Sequence, residues 1–252
     1  MKLLLDIGNS RIKWAQVADG KGWVAGEVPH DGRPANCLDQ IPVPAPKAVL
    51  VSQLDGDDGE QNLRAAMQTR WPGEPFFARS QAECLGLKSA YTEPRRLGVD
   101  RWLAMLGAWQ QEKKAAVVAD AGTALTVDVI DGAGQHLGGI IAPGLKVARD
   151  SLLNATSFPV RSHRWQAPQR LGDDTESAVD AGVLAACLGA IEHTASAAPA
   201  GATLLLTGGD AARLKPMLSK HWQVKLNLVM QGLLAQFEAV RGSDAPNQSR
   251  GG

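Results

Sequence analysis

The sequence predicts an α/β protein built from two related lobes, and three observations predict it. First, an apolar run, Leu3-Leu4-Leu5, ends in the acidic turn Asp6-Ile7-Gly8-Asn9-Ser10. The same pattern returns as Ala116-Val117-Val118-Ala119 followed by Asp120-Ala121-Gly122-Thr123. Second, each copy runs on into another strand-like segment, residues 12–17 and 125–130, and each closes on D-G-x-G, at 19–22 and 131–134. Third, segments between and after the copies place apolar residues at three- and four-residue spacings, the period of an amphipathic helix.

Taken in order, residues 2–28 read as two or three strands in a meander punctuated by Gly turns. Residues 29–46 are proline-rich with little periodicity, which predicts a loop. A short buried strand is expected at 47–52 and a helix at 60–69, and Pro72, Pro75 and Pro94 interrupt any long element over 71–98. A helix starts near Asp100, because Trp102, Leu103, Met105, Leu106 and Trp109 make one broad apolar face. Lys113 and Lys114 at its end suit the helix dipole. After the second copy of the module, 146–154 looks helical and 156–173 forms a polar loop with Pro159 and Pro168. A longer helix spans 175–194. Val179, Val183, Cys187 and Ile191 line one face, widened by Leu184 and Leu188, while Ala181, Gly182, Ala185, Ala186, Gly189 and Ala190 make it small-sided. Such a helix suits either tight packing within the chain or a subunit interface. A strand at 203–207 ends in Gly208-Gly209-Asp210, and helices follow at 211–219 and 229–241. The lobes are therefore expected at 1–112 and 113–241, with 242–252 as a disordered, Gly-rich tail.

Composition excludes several classes. Lys plus Arg number 26, as do Asp plus Glu, so net charge favours neither nucleic acid nor a membrane surface. The three cysteines, Cys37, Cys84 and Cys187, are an odd number at no metal or redox spacing. They argue for buried thiols and a reducing cytoplasm rather than a disulfide framework. Asp6 arrives too soon for a signal-peptide core, and no apolar run reaches membrane-spanning length.

The chemistry lies in the turns. A turn after a strand can present several backbone N–H groups to one anion. Gly8 lets the backbone approach closely, Ser10 adds a hydroxyl donor, Lys13 adds a charge, and Asp6 can hold a hydrated Mg²⁺ facing phosphates. The plainer alternative is a β-turn with solvated Asn and Ser. In the second copy, Asp120 and Thr123 stand where Asp6 and Ser10 stand. Gly138-Gly139 and Pro143-Gly144 supply further turns, and Thr207-Gly208-Gly209-Asp210 offers a floor for a base and ribose, or a plain strand-to-helix turn. Two facing phosphate turns would grip a nucleoside triphosphate from both lobes. The third constellation is Gly98-Val99-Asp100-Arg101. Asp100 is either a helix N-cap or a general base that takes a hydroxyl proton in phosphoryl transfer. Arg101 beside it would hold an acidic substrate.

D-I-G-N-S-R-I-K at 6–13, G-V-D-R at 98–101, D-A-G-T at 120–123 and G-G-I-I-A-P-G at 138–144, in this order, resemble type III pantothenate kinase. That family belongs to the acetate and sugar kinase, chaperone ATPase and actin superfamily. The resemblance implies two RNase H-like lobes with ATP in a cleft between them and transfer of the γ-phosphoryl to the primary hydroxyl of pantothenate, the first step towards coenzyme A. It implies ATP contacts from Asp6, Ile7, Gly8, Asn9, Ser10, Arg11, Ile12, Lys13 and Thr123. It implies Asp120 as ligand of a monovalent cation, K⁺ or NH₄⁺, and Mg²⁺ held through water by Asp6. Pantothenate contacts fall on Tyr91, Gly98, Val99, Asp100, Arg101 and Thr175, with Asp100 as proton acceptor. Tyr91 read plainly is ordinary packing, and Thr175 an N-cap with Glu176 in the first turn. A cytoplasmic homodimer is implied, with the small-sided helix as its interface and no nucleic acid or membrane partner. Ser10 departs from the commoner Thr but keeps the hydroxyl. Two alternatives remain open: another small-molecule kinase of the superfamily, and a non-catalytic transcriptional accessory factor. The second would need a basic stripe or recognition helix that the sequence does not carry.

Overall fold

The computed structural model describes residues 1–18, 22–53, 56–158 and 171–243. They form two compact units, Met1–Lys113 joined by the chain from Asn227, and Lys114–Leu226.

The first unit carries a five-stranded sheet of β1 (Lys2–Ile7), β2 (Arg11–Val17), β3 (Val24–Pro29), β4 (Ala48–Gln53) and β5 (Phe76–Phe77), in the order β3-β2-β1-β4-β5. β2 is antiparallel to β1 and β3, whereas β1, β4 and β5 run parallel. Leu3, Leu4 and Leu5 of the central strand are all buried, as an apolar run covered on both faces should be. Helix α1 (Gly56–Arg70) links β4 to β5. A small hairpin follows, β6 (Glu83–Cys84) and β7 (Leu87–Lys88), turned on Leu85 and Gly86, both at positive φ. Helix α2 (Val99–Glu112) then begins, buried on nearly every side rather than on one broad face.

The proline-rich stretch, expected as a loop, contains a 3-10 helix at Pro34–Gln40 and packs into the core. Leu38, Ile41 and Val43 are buried there. Arg70 Nη2 donates to the Ile41 carbonyl and Trp71 Nε1 to the Val43 carbonyl, both at 2.7 Å. The stretch connects β3 to β4 where the second unit uses helices.

That second unit repeats the topology. Its strands are β8 (Ala116–Ala121), β9 (Ala124–Ile130), β10 (His136–Pro143), β11 (Thr203–Thr207) and β12 (Gln223–Val224), ordered β10-β9-β8-β11-β12 with the same directions. The repeated sequence module is thus a repeated sheet, and each unit is an RNase H-like lobe. Gly138 and Gly139, read as turns, lie inside β10. A β-carbon on Gly139 would stand 2.3 Å from Asp128 Oδ1 and 2.4 Å from the Val127 carbonyl, so only Gly lets β10 run this close to β9. Helices α3 (Leu145–Ala155) and α4 (Thr175–Ser196) join β10 to β11. α5 (Ala211–Leu214) is shorter than the expected 211–219. Pro216 lacks the N–H that would continue it, and a 3-10 turn at Lys215–Met217 takes over.

α4 buries Val179, Val183, Leu184, Cys187 and Ile191 in this unit's core. It is long and apolar enough to cross a membrane, but that buried face and the buried Asp180 make it a core helix. Four of its small residues are turned away from that core, whereas Ala190 packs against it. Gly182, Ala185, Ala186 and Gly189 are exposed, and among the described residues a β-carbon placed on either Gly would meet no side chain or other element within 4 Å.

One domain boundary needs correction. The second lobe was expected to run over 113–241, but α6 (Leu228–Ser243) belongs with the first unit. The cause is a backbone-to-backbone crossing of α6 on α2. A β-carbon on Gly107 would lie 2.3 Å from the Leu228 carbonyl, and one on Gly232 would lie 1.9 Å from that of Leu103. Gln236 reinforces the placement, donating to the Arg79 carbonyl at 2.7 Å. Gly242 and Ser243 close α6. The rest of the expected tail, residues 19–21 of the first D-G-x-G turn and 159–170 of the polar loop lie outside the described residues.

Candidate functional site

In the first unit, the β1–β2 turn forms because Ile7 pairs with Ile12 and the Gly8 N–H donates to the Arg11 carbonyl at 3.1 Å. Asn9 and Ser10 are exposed at its tip, while the Ile7 and Ile12 side chains belong to the core and leave only their backbone for a ligand. Asp6 and Lys13 stand opposite one another in the ladder, so both side chains leave the same face of the sheet. Ser52 of β4 is in register with Asp6, and its buried hydroxyl has no partner among the described residues. Arg11 turns outward and pairs with Glu27.

At the start of α2, Gly98 occupies the N-cap position and Asp100 lies in the first turn, so Asp100 is not the cap. Its Oδ1 accepts the Arg101 N–H at 2.8 Å and arches over Gly98, where a β-carbon would stand 2.7 Å away. Val99 is buried. Arg101 is 5% exposed, and its Nη1 donates to the Tyr91 hydroxyl at 3.1 Å. Tyr91 therefore does more than pack: it meets the arginine of the same motif ten residues on.

In the second unit, the Gly122 N–H donates to the Ala124 carbonyl at 3.0 Å, which leaves Thr123 exposed at the β8–β9 tip. Two other turns close on it. The Gly144 N–H donates to the Thr123 carbonyl at 3.0 Å, and a β-carbon there would lie 2.1 Å from the Gly122 carbonyl. Gly144 starts α3 without a side-chain cap, so the unpaired first-turn N–H groups of that helix begin beside Thr123. Gly208, at φ +94°, would carry a β-carbon 2.4 Å from Asp120 Oδ1. The Asp210 N–H donates to the Ala121 carbonyl at 2.9 Å. The T-G-G-D segment is thus packed against the Asp120 carboxylate.

Thr175 is the exposed first residue of α4, and Asp174 is the cap. The Asp174 carboxylate accepts the Ser177 N–H at 2.9 Å, and Ser177 Oγ accepts the Asp174 N–H at 3.1 Å. Behind it, Arg149 Nε donates to Asp180 at 2.6 Å in a buried pair that ties α3 to α4.

Sequence reasoning missed a cavity of about 360 Å³ in the first unit, lined among others by Gln53, Glu60, Arg79, Ser80, Arg95 and Gly98. It opens at the carboxyl ends of β4 and β5, where open α/β sheets bind ligands. Glu60 pairs with Arg64 at 2.8 Å and with Arg79. Burial pushes its carboxyl up, but hydrogen bonds and charge from the two arginines outweigh this and hold it below the ordinary value. No motif could reveal the pair, since Glu60 and Arg79 meet only through the fold. Burial raises the Cys84 thiol, and burial with the Asp210 charge raises that of Cys187. Cys37 is only half-buried, contrary to expectation, packing against the edge of the first unit's core.

A profile of the type III pantothenate kinases matches residues 2–197. The type III pantothenate kinase of Halorhodospira halophila is 34% identical over 266 residues, covering 96% of this chain and 100% of that one. The chain belongs to the type III pantothenate kinase family. Its counterpart from Dechloromonas aromatica is 36% identical over 237 residues, covering 92% and 97%. A solved structure from Campylobacter jejuni, described as a Baf family transcriptional activator, superposes with a TM-score of 0.59 at 20% identity over 95% of this chain and 99% of that one, a likeness of fold. As a type III pantothenate kinase, the chain is an ATP-dependent phosphotransferase acting on the alcohol of pantothenate, at the entry to coenzyme A biosynthesis.

Proposed function

We propose that Asp100 is the proton acceptor for the primary hydroxyl of pantothenate, with Arg101 and Tyr91 orienting the acid and Thr175 adding a contact. The observation that carries this reading is the α2 start itself. A carboxylate arched over Gly98 stands one residue from a buried guanidinium already aligned by a tyrosine hydroxyl. In the step, the pantothenate oxygen bonds the γ-phosphorus, the bond to the ADP bridging oxygen breaks, and the hydroxyl proton passes to Asp100. The products are 4′-phosphopantothenate and ADP.

The turn at residues 6–13 and Thr123 bind the ATP phosphates in this reading. Exposed turn backbone, the Ser10 hydroxyl and Lys13 beside Asp6 support it. The donor set suits a hydrated Mg²⁺ at Asp6, which would neutralise phosphate charge when bound. Asp120 suits a monovalent cation. Gly208 brings its backbone against this carboxylate and Gly122 lies beside it, so that backbone carbonyls of the two turns could join a single carboxylate in holding a singly charged ion. A coupled ADP-release assay with pantothenate tests function and cation together. Turnover is expected in potassium and should fall on the order of tenfold in sodium-only buffer. Undiminished rates in sodium remove the role of Asp120.

The exposed small-residue face of α4 is the proposed homodimer surface. Sedimentation at micromolar concentration should give a dimer for the natural chain and a monomer for Gly182→Arg, with melting little changed, since among the described residues a side chain there would point into open space. A strictly monomeric natural chain overturns this. Three free thiols support a reducing cytoplasmic location.

A further inference from the structure

We infer that His30 is a positioning residue for the phosphate turn, setting the peptide planes that aim backbone N–H groups at the nucleotide. This rests on the reading of the β1–β2 turn as an ATP site. His30 directly follows β3, and its N–H donates to the Ser10 carbonyl at 3.0 Å, carrying the ladder one residue past the Arg11–Pro29 pair. Its ring reaches further round the turn, with Nε2 2.8 Å from the Gly8 carbonyl oxygen. The Gly32 N–H donates to Nδ1 at 3.1 Å, from a residue whose φ of +89° lets the chain double back onto the ring. Nδ1 therefore offers its lone pair, the proton of the neutral imidazole resides on Nε2, and Nε2 donates to Gly8.

One residue thus holds two carbonyls of the turn, those of Gly8 and Ser10. Peptides are planar, and the described residues contain no cis bond. With Gly8 and Ser10 oxygens turned to His30, the Asn9 and Arg11 N–H groups face the opposite way. An anion-binding turn needs that polarity, with N–H groups on one side and carbonyls turned from the anion. Gly8 brings no side chain to restrain its own peptide, so the restraint has to come from outside the turn. His30 supplies it from seventeen residues beyond Lys13, in a segment with no motif.

The test compares wild type, His30→Ala, His30→Gln and Lys13→Ala, with ATP and pantothenate varied separately and melting measured for each. His30→Ala is expected to raise KM for ATP roughly five- to tenfold, the worth of one hydrogen bond, with KM for pantothenate essentially unchanged. His30→Gln, whose amide can still donate to Gly8, should recover most of the loss. If Lys13→Ala raises KM for ATP and His30→Ala does not, the positioning role is wrong and the ATP turn stands. If neither variant moves it, the reading of the turn fails and the inference with it. Equal rises for both substrates alongside a large fall in melting temperature would mark His30 as scaffold and overturn the inference.

Discussion

Asp100→Asn is expected to lower kcat by about 10²–10⁴-fold while leaving KM for pantothenate nearly unchanged. The substitution is close to isosteric, and the amide oxygen can still accept the Arg101 N–H that Asp100 Oδ1 accepts at 2.8 Å. The start of α2, the buried Arg101 and its bond to Tyr91 should therefore persist, while the negative charge and with it the proton-accepting capacity are removed. Phosphoryl transfer draws most of its acceleration from positioning and charge neutralisation, which is why the loss should stop short of abolishing turnover. Arg101→Lys provides the contrast. A lysine cannot reproduce the planar donor fork, so it should raise KM for pantothenate more than it lowers kcat. Single-turnover kinetics with saturating ATP separates the two. Near wild-type turnover in Asp100→Asn with normal pantothenate binding would remove the base assignment.

The turns that make up the candidate site were legible for a physical reason. Phosphate turns require Gly, hydroxyl and acidic residues at strand ends, within a few positions of one another, and short-range requirements leave short-range patterns. The repeat of those patterns correctly announced two lobes of the same sheet order. What the sequence hid was long-range. The proline-rich stretch gave no periodic signal, because its helix is a single short 3-10 segment and the buried Ile41 and Val43 beyond it are held through their carbonyls by Arg70 and Trp71 at the end of α1. Glu60 of α1 with Arg79 beyond β5, and His30 with Gly8, are pairs that exist only once distant segments have been folded together. The placement of α6 with the first unit is hidden for the same reason. Its amphipathic pattern says that one face is buried, but not against which unit.

Gly232→Ala should expose that long-range term directly, with a loss of about 3 kcal/mol or more and a fall in melting temperature of roughly 6–12 °C for a chain of this size. In an exposed helix the same change would stabilise by roughly 0.5–1 kcal/mol, because alanine loses less backbone entropy on folding than glycine. Here the new methyl would stand 1.9 Å from the Leu103 carbonyl oxygen and 2.9 Å from its α-carbon. Backbone cannot swing aside as a side chain can, so α6 has to lift from α2. Gly107→Ala drives the same separation from the other helix, with its methyl 2.3 Å from the Leu228 carbonyl and 3.1 Å from the Gly232 nitrogen. The two positions share one contact, and the double variant should cost less than the sum of the singles, since a crossing already opened accommodates the second methyl. Because α2 begins with Asp100 and Arg101, the lifted helix should also lower turnover in whatever fraction remains folded. Urea denaturation of both singles and the double measures the coupling. A Gly232→Ala protein as stable as wild type would mean that α6 does not rest on α2 in this way.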